Sequence, residues 1–268
     1  IPRTLALIIY GDLDISILNE LPKGRAKIET FAVTGKLRER AYNFIRDRLN
    51  ENKQAYIVCP MIDENDNDLI AVTTYAQKLQ EGAFSGYNVG LLHGRMSSAD
   101  KERVMNDFRN GDIDLLISTT VVEVGVDVPN AVVMMIENSD RFGLSQLHQL
   151  RGRVGRGMAQ SYCILVTDNI NDDVKHRLRI MSSTTDGFKI SEEDLKLRGP
   201  GDFFGKKQHG LPQLKIADIA GDMELMKTTQ MVARRIIDED SELKLPKNGG
   251  LRVEVIRLFA KSGDNSLN

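Results

Sequence analysis

Residues 115–136 of this 268-residue chain are LLISTTVVEVGVDVPNAVVMMI, in which two short apolar runs flank a polar segment. The runs at 115–119 and 132–136 are rich in apolar and β-branched side chains and are too short for stable helices. Such runs, bounded by glycine, proline and asparagine, are typical of buried β-strands. The stretch therefore predicts two strands of one sheet.

The rest of the first two thirds of the chain repeats this pattern of apolar runs. Further strands are predicted at 5–9, 28–33, 55–60, 88–92 and 162–166. Between strands, apolar residues recur at helical spacing from Leu37 to Leu49, and a second helix is predicted from Ser97, with Asp100 completing a capping pattern, to Gly111. Strands that alternate with helices predict an α/β fold, a parallel sheet with helices on both faces.

The last hundred residues follow a different pattern. One helix is predicted around Val174 and Leu178, and two more at 222–238 and 251–259. Residues 197–205 are LRGPGDFFG, and their glycines and proline predict a structured loop.

Composition bounds the class of protein. Hydrophobic residues make up 41% and charged residues 28% of the chain, which is close to a globular average and excludes a disordered or fibrous protein. No apolar run reaches the roughly 18 residues of a membrane span. Cys59 and Cys163 both lie in apolar runs, so neither a disulfide framework nor a zinc site is predicted, and a cytoplasmic protein is expected.

Charge is distributed unevenly along the chain. The net charge is −2, but the segment from Arg141 to Lys215 holds 13 basic and 8 acidic residues. A local basic excess suits binding of a polyanion, and it is also common on solvated protein surfaces. Because the chain starts with Ile1, in what reads as the middle of an element, we expect a piece of a longer protein.

The strongest motif for chemistry is QLRGRVGR at residues 149–156. Its glycines allow the backbone to approach a ligand closely, and Arg153 and Arg156 can place two guanidinium groups on one polyphosphate. Arg156 then suits the role of an arginine finger, which stabilises charge on a γ-phosphoryl group in transfer. Taken alone, the motif is equally compatible with a basic turn paired to nearby acidic residues.

Other segments precede this motif in a fixed order. They are LHGR at 92–95, a helix that contains Arg103 and Phe108, LISTT at 116–120 and EVGVDVP at 123–129. The ordered set resembles the second RecA-like motor domain of superfamily 2 helicases, over about residues 25–167.

The resemblance implies a role for each matching position. Arg153 and Arg156 would be catalytic, and Gly125, Asp127 and Gln149 would form the ATP-binding set, with Gln149 also coupling two motor domains. The residues that would bind DNA are His93, Gly94, Arg95, Thr119 and Thr120. Contacts of this kind to phosphates position a nucleic-acid strand without reading its sequence.

The sequence lacks the other half of an ATPase site. No segment matches the phosphate loop G-x-x-x-x-G-K-[ST], and the acidic residues 63–66 are interpreted as an exposed turn, so no metal site is predicted. ATP and Mg²⁺ would be held mainly by a first motor domain that is absent here, and the isolated chain should be inactive. Residues 1–22 would be the tail of that domain and a linker.

Three C-terminal segments resemble the translocation motif that RecG helicases share with the transcription-repair coupling factor Mfd. They are DGF at 186–188, DLKLRGPG at 194–201 and QHG at 208–210, and Pro200 favours RecG. The resemblance implies that Arg177, Arg198 and Gln208 couple ATP-driven closure to movement along duplex DNA. For Arg177 an alternative is that its stem packs beside the apolar stripe of its helix while its charge reaches solvent.

The expected protein is thus a part of an ATP-dependent DNA helicase that remodels branched DNA, such as stalled replication forks and Holliday junctions. The alternatives are an Mfd-like translocase and a non-catalytic duplex-binding module. The expected partners are DNA, a wedge domain and the first motor domain, with no membrane. The expected divisions are 1–22 (tail and linker), 23–168 (RecA-like domain), 169–215 (translocation motif, a helical hairpin and loop) and 216–268 (helical segment).

Overall fold

One parallel sheet of six strands organises the larger part of the molecule. This computed structural model describes residues 26–60, 66–119, 127–169, 171–203 and 223–262. The strands are β1 (Glu29–Val33), β2 (Gln54–Val58), β3 (Val89–Leu92), β4 (Leu115–Ser118), β5 (Ala131–Ile136) and β6 (Tyr162–Val166). Their order is β1-β6-β5-β2-β4-β3, and every neighbouring pair is parallel, which confirms the predicted α/β fold. The strand predicted at 5–9 lies outside the described residues.

Helices cover both faces of this sheet. In chain order the described helices are α1 (Arg38–Asn50), α2 (Asp66–Glu81), α3 (Ser98–Asn110), α4 (Leu144–Arg151), α5 (Asp172–Ser183), α6 (Gly187–Phe203), α7 (Met223–Glu239) and α8 (Gly249–Ser262), and α1 to α5 contribute to the cores against the sheet. Successive side chains of a strand point to opposite faces, so Tyr56 packs in a core with α3, α4 and α5, whereas Ile57 packs in a second core with α1 and α2.

The predicted ends of α3 are confirmed. The Ser97 hydroxyl accepts a hydrogen bond from the Asp100 N–H at 3.1 Å, and Gly111 ends the helix in the left-handed conformation, with φ 88°. These two residues satisfy backbone groups that the helix itself leaves unpaired.

One prediction was wrong, because residues 197–203 are helical instead of forming a loop. They continue α6, whose start is capped by the Asp186 carboxylate, which accepts the Phe188 N–H at 2.9 Å. Lys196 forms ion pairs with two glutamates one turn earlier, which favours the helix at this point. Pro200 lies within this helix and has no N–H to donate to the carbonyl of residue 196, so α6 forms without that one backbone bond.

The sequence signal for α2 was overlooked. Asp66, interpreted above as part of an acidic turn, is the first residue of this helix, and residues 63–65 lie outside the described part. Val72, Ala76 and Leu79 form its buried stripe at helical spacing.

The described chain divides into two compact units, one ending at Ser191 and the other starting at Glu192. The second unit contains the predicted C-terminal helices, observed as α7 and α8. None of the helices within the described segments is long and apolar enough to cross a bilayer.

Candidate functional site

The motif arginines lie on a short loop, residues 152–157, that we name the arginine loop. It follows α4 and precedes β6. Gly155 has φ 73°, and a Cβ there would stand 2.8 Å from the Ile28 side chain, so only glycine fits this turn without strain or displacement. The loop therefore follows a fixed path on leaving α4.

Asp127 and Arg156, two residues of the predicted ATP-binding and catalytic sets, lie together. Asp127 Oδ1 is 3.4 Å from Arg156 Nη1, and Arg156 Nε also donates to the Gly152 carbonyl at 3.3 Å. A Cβ at Gly157 would stand 2.5 Å from the carbonyl oxygen of Pro129, so the two segments touch at their backbones. The Asp127 segment precedes β5 and the arginine loop precedes β6. Because these strands are parallel, the two segments share the amino-terminal edge of the sheet.

Arg153 is half-buried and its charge acts in the same region. Burial raises the pKa of Tyr56 to about 12, and the positive charges of Arg153 and Arg156 oppose that rise. Both guanidinium groups therefore lie within electrostatic reach of one tyrosine hydroxyl. Gln149 is exposed on α4, and Gly125 lies outside the described residues.

The predicted DNA-binding residues lie at the opposite edge, because they follow β3 and β4. The backbone hydrogen bonding of the sheet continues for one residue beyond three of its strands. The N–H groups of Thr119, Cys59 and Glu137 donate to carbonyls of neighbouring strands at 3.1, 2.8 and 2.8 Å. His93 directly follows β3 and therefore lies in the same row of residues, which begins where the strands end. Thr120 falls outside the described residues.

Two polar atoms in this row are buried without a hydrogen-bond partner among the described residues, His93 Nδ1 and Thr119 Oγ1. Burial, followed by the charges of Lys101 and Arg95, lowers the pKa of His93. Lys101 Nζ donates to the Gly94 carbonyl at 2.6 Å, and Arg95 is exposed. The charges of Lys101 and Arg95 beside this partly exposed turn are suited to an anion.

A buried network at the same edge was missed by sequence reasoning. Glu137 directly follows β5, and its carboxylate accepts two hydrogen bonds from Arg38, at 2.9 and 3.1 Å, and one from the Tyr75 hydroxyl at 2.8 Å. Tyr42 bonds to the Tyr75 hydroxyl at 2.8 Å. The network ties α1 and α2 to the end of β5. Only an apolar strand followed by a lone glutamate could have signalled it.

A metal-binding cluster is not part of this arrangement. Among the described residues, no group of three His, Cys, Asp or Glu side chains stands close enough to hold an ion. The site as described offers guanidinium groups for phosphate oxygens and lacks carboxylates grouped around a cation.

Comparisons with known proteins identify the family. Residues 36–158 match the helicase conserved C-terminal domain, and residues 184–261 match domain 3, C-terminal, of the ATP-dependent DNA helicase RecG. The chain is 46% identical over 265 residues to the ATP-dependent DNA helicase RecG of Bacillus subtilis. The chain belongs to the RecG family.

Other RecG proteins give the same result. That of Thermotoga maritima is 48% identical over 245 residues, which are 91% of this chain and 31% of the relative. The match to the Bacillus protein covers 98% of this chain and 39% of the relative. The chain therefore spans about two fifths of the length of that protein. A solved structure of RecG bound to a three-way DNA junction superposes with a TM-score of 0.67 at 46% identity, covering 85% of this chain and 29% of that one.

In this RecG-family chain Arg177 has well-defined partners. Its two terminal nitrogens donate to the carbonyl oxygens of Phe142 and Asp140, at 2.8 and 2.9 Å. The guanidinium therefore attaches α5 to the segment before α4 and does not simply extend into solvent. Arg198 lies on α6, and Gln208 lies outside the described residues.

A third arginine of the motif was not singled out from the sequence. Arg151, the last residue of α4, is 2% exposed and donates to carbonyl oxygens at the end of α5. The motif thus contains the buried Arg151, the half-buried Arg153 and the exposed Arg156. The residue types alone do not distinguish them.

Proposed function

We propose that this chain is the second motor domain and translocation segment of an ATP-dependent DNA helicase that works on branched DNA in the cytoplasm. The observation that carries the proposal is the contact between Asp127 and Arg156, because it brings residues from two separate helicase motifs to one exposed position. The RecG relatives are described as ATP-dependent DNA helicases, and one is solved on a three-way junction. Stalled replication forks and Holliday junctions are substrates of that kind.

The arginine loop serves the nucleotide in this proposal. Bound ATP and Mg²⁺ would supply a phosphoryl group ready for transfer to water. Arg156 is held by one partly exposed carboxylate at 3.4 Å, a weak interaction that phosphate oxygens can replace. Arg153 and Arg156 would then stabilise negative charge that develops on the phosphate, as arginine fingers do. Gly125, Asp127 and Gln149 are proposed to contact the same nucleotide.

The residues present fit the nucleotide phosphates better than they fit the metal. Two guanidinium groups near an exposed edge match a polyphosphate. Since the described residues offer no grouped carboxylates for a cation, Mg²⁺ would be held mainly by residues of the first motor domain. That domain is therefore a proposed partner, as is the wedge domain.

The carboxyl edge of the sheet would hold the DNA. His93, Gly94 and Arg95 form an exposed basic turn, to which Lys101 is attached. The Thr119 hydroxyl is buried in this conformation, so a DNA contact from that hydroxyl requires a local rearrangement on binding, and Thr120 is proposed as a second contact. Arg177, Arg198 and Gln208 would couple closure of the motor to movement of the duplex.

A test needs a full-length RecG-type protein that carries this chain. Forked DNA should stimulate its ATP hydrolysis, and three- and four-way junctions should be unwound. The isolated chain should hydrolyse no ATP, with or without DNA. Full-length protein that binds forks without hydrolysing ATP would favour the alternative of a non-catalytic module, and polymerase displacement without junction unwinding would favour an Mfd-like translocase.

A further inference from the structure

The corner between α5 and α6 is attached to the end of α4, directly before the arginine loop, by polar side chains that no motif role accounts for. We propose that Arg151 and His148 are positioning residues that hold this corner against the end of α4, so that the corner moves with the arginine loop. This inference rests on the proposed function, since it concerns how the phosphate-facing arginines reach the segment that carries the coupling residues.

The guanidinium of Arg151 is the centre of the attachment. Its Nη1 donates to the carbonyl oxygens of Met181 and Thr184, at 2.7 and 2.9 Å, and its Nη2 lies 3.1 Å from His148 Nδ1. Nη1 also lies 3.4 Å from the Thr30 hydroxyl of β1. One side chain thus connects α4 to the last turn of α5 and to the residue after it.

The end of α5 explains why a buried cation is stable here. The last carbonyls of a helix have no partner within it, and they carry partial negative charge. Met181 lies in the last turn of α5, and Thr184 caps it, so Arg151 both completes their hydrogen bonding and meets a favourable potential. Removing this side chain leaves buried carbonyl groups unpaired, which is costly.

His148 fixes the other side of the corner. It accepts from Arg151 through Nδ1 only while the ring is neutral, and burial, followed by the charge of Arg151, lowers its pKa in favour of that form. Asp186 is the acidic group that acts in the opposite direction. A Cβ at Gly187, the first residue of α6, would stand 2.9 Å from His148 Nε2, so the helix starts directly against the ring.

Apolar packing makes the attachment continuous. Leu150 of α4, Leu178 and Met181 of α5 and Ile190 of α6 belong to one buried core. Arg151 is separated from Arg153 by a single glycine. A displacement of the arginine loop toward phosphate would therefore be passed on to the α5–α6 corner through bonded and packed neighbours.

The inference predicts a defect different from that of a phosphate-facing arginine. In full-length protein, Arg151→Lys keeps the charge but cannot bridge the two carbonyls and the imidazole together, because a lysine offers one point of attachment. We expect fork-stimulated ATP hydrolysis to persist while base pairs unwound per ATP fall by about tenfold, within the usual range of coupling between sites. Arg153→Ala should lose hydrolysis and unwinding together.

Matched variants keep the test decisive. Gly187→Ala perturbs the corner and leaves Arg151 in place, and His148→Leu removes one hydrogen-bond partner of its guanidinium. Both should show the same uncoupling if Arg151→Lys fails to fold. His148→Asn, which retains an acceptor near the position of Nδ1, should restore coupling relative to His148→Leu. Arg179→Ala, an exposed arginine of α5, should leave coupling unchanged.

The outcomes separate this inference from the proposed function. Unchanged unwinding per ATP in folded Arg151→Lys and Gly187→Ala proteins would overturn the inference, because the attachment would then serve stability alone. Absence of DNA-stimulated hydrolysis in the unaltered protein would instead overturn the proposed function.

Discussion

Asp127 Oδ1 and Arg156 Nη1 lie 3.4 Å apart and join the segment before β5 to the loop before β6. Partly exposed ion pairs of this kind contribute about 0–1 kcal/mol to stability, so the pair holds the guanidinium in place without fixing it permanently. A polyphosphate that offers several charged oxygens can displace one carboxylate. In the proposed function, Asp127 would thus keep Arg156 near the position of the phosphate oxygens.

Replacing Arg156 should therefore affect chemistry more than binding. In full-length protein, Arg156→Ala should lower the kcat for ATP hydrolysis by a factor on the order of a thousand, the usual effect of losing an arginine finger. Nucleotide binding, measured by fluorescent analogue titration, should change little. Arg40→Ala, an exposed arginine on α1, is the control. Wild-type turnover in the Arg156 variant would show that this arginine has no role in catalysis.

Replacing Arg95 should weaken DNA binding in a salt-dependent manner. Each lost phosphate contact lowers the slope of log affinity against log salt concentration by about 1. Fork affinity of full-length Arg95→Ala, measured by fluorescence anisotropy at several salt concentrations, should fall for all DNA sequences alike. Arg103→Ala removes an arginine already paired with Asp100 on α3 and should leave the slope unchanged. Equal slopes for both variants would contradict a phosphate contact at Arg95.

A side chain at Gly157 should separate the arginine loop from the Asp127 segment. Its Cβ would stand 2.5 Å from the Pro129 carbonyl oxygen, and backbone cannot move aside cheaply. We expect Gly157→Ala to lower the free energy of unfolding by about 1–3 kcal/mol in urea titrations. Gly250→Ala is the matched control, because its Cβ meets nothing within 4 Å and alanine favours α8. That variant should be as stable as the unaltered chain, or more so.

The buried carboxylate of Glu137 should contribute to stability. Glu137→Gln removes the charge that pairs with Arg38 and disturbs the bond from Tyr75, and we expect a loss of roughly 1–3 kcal/mol in the free energy of unfolding. Glu51→Gln breaks an exposed pair with Arg48 and should cost less than about 0.5 kcal/mol. Similar losses in both variants would show that burial of the Glu137 pair carries no extra stability.

Stability should depend on pH through His148. Its pKa in the folded chain lies below the ordinary value of 6.5, so the unfolded chain binds more protons as the pH falls through that value. The free energy of unfolding should therefore be highest above the ordinary pKa and decrease as the pH falls toward the folded one. His148→Asn should flatten this part of the profile, while the partly buried His93, whose pKa is also lowered, accounts for a remainder. An unchanged profile in the variant would remove His148 from this role.

Most of the fold could be predicted from local signals in the sequence. Most of the features that the sequence did not predict depend on contacts between residues that are far apart in the chain. Ser97 and Gly111 fix the ends of α3 through their own backbone and side-chain chemistry, which a sequence displays directly. Pro200 was misjudged because glycine and proline signals were weighed without the capping and ion pairs that support α6.

The residues of the candidate site show the same difference between local and long-range signals. The helicase resemblance drew attention to Asp127 and Arg156, which the fold brings to 3.4 Å although 28 residues separate them in the chain, and their role toward a nucleotide stays a prediction. Arg151 and Arg153 have the same residue type two positions apart, and only the packing of α5 against α4 turns one inward. Glu137 pairs with an arginine almost 100 residues away, which no local pattern indicates.

The position of β1 has a consequence for the order in which the chain acquires its structure. Among the described strands β1 pairs only with β6, and the N–H of Gly35 donates to Asp168, 133 residues later. On the ribosome β1 emerges first and its partner emerges after every other strand of the sheet. Because pairings between distant segments form slowly, we expect the sheet to grow outward from β2, β4 and β3, and its first-synthesised strand to join last.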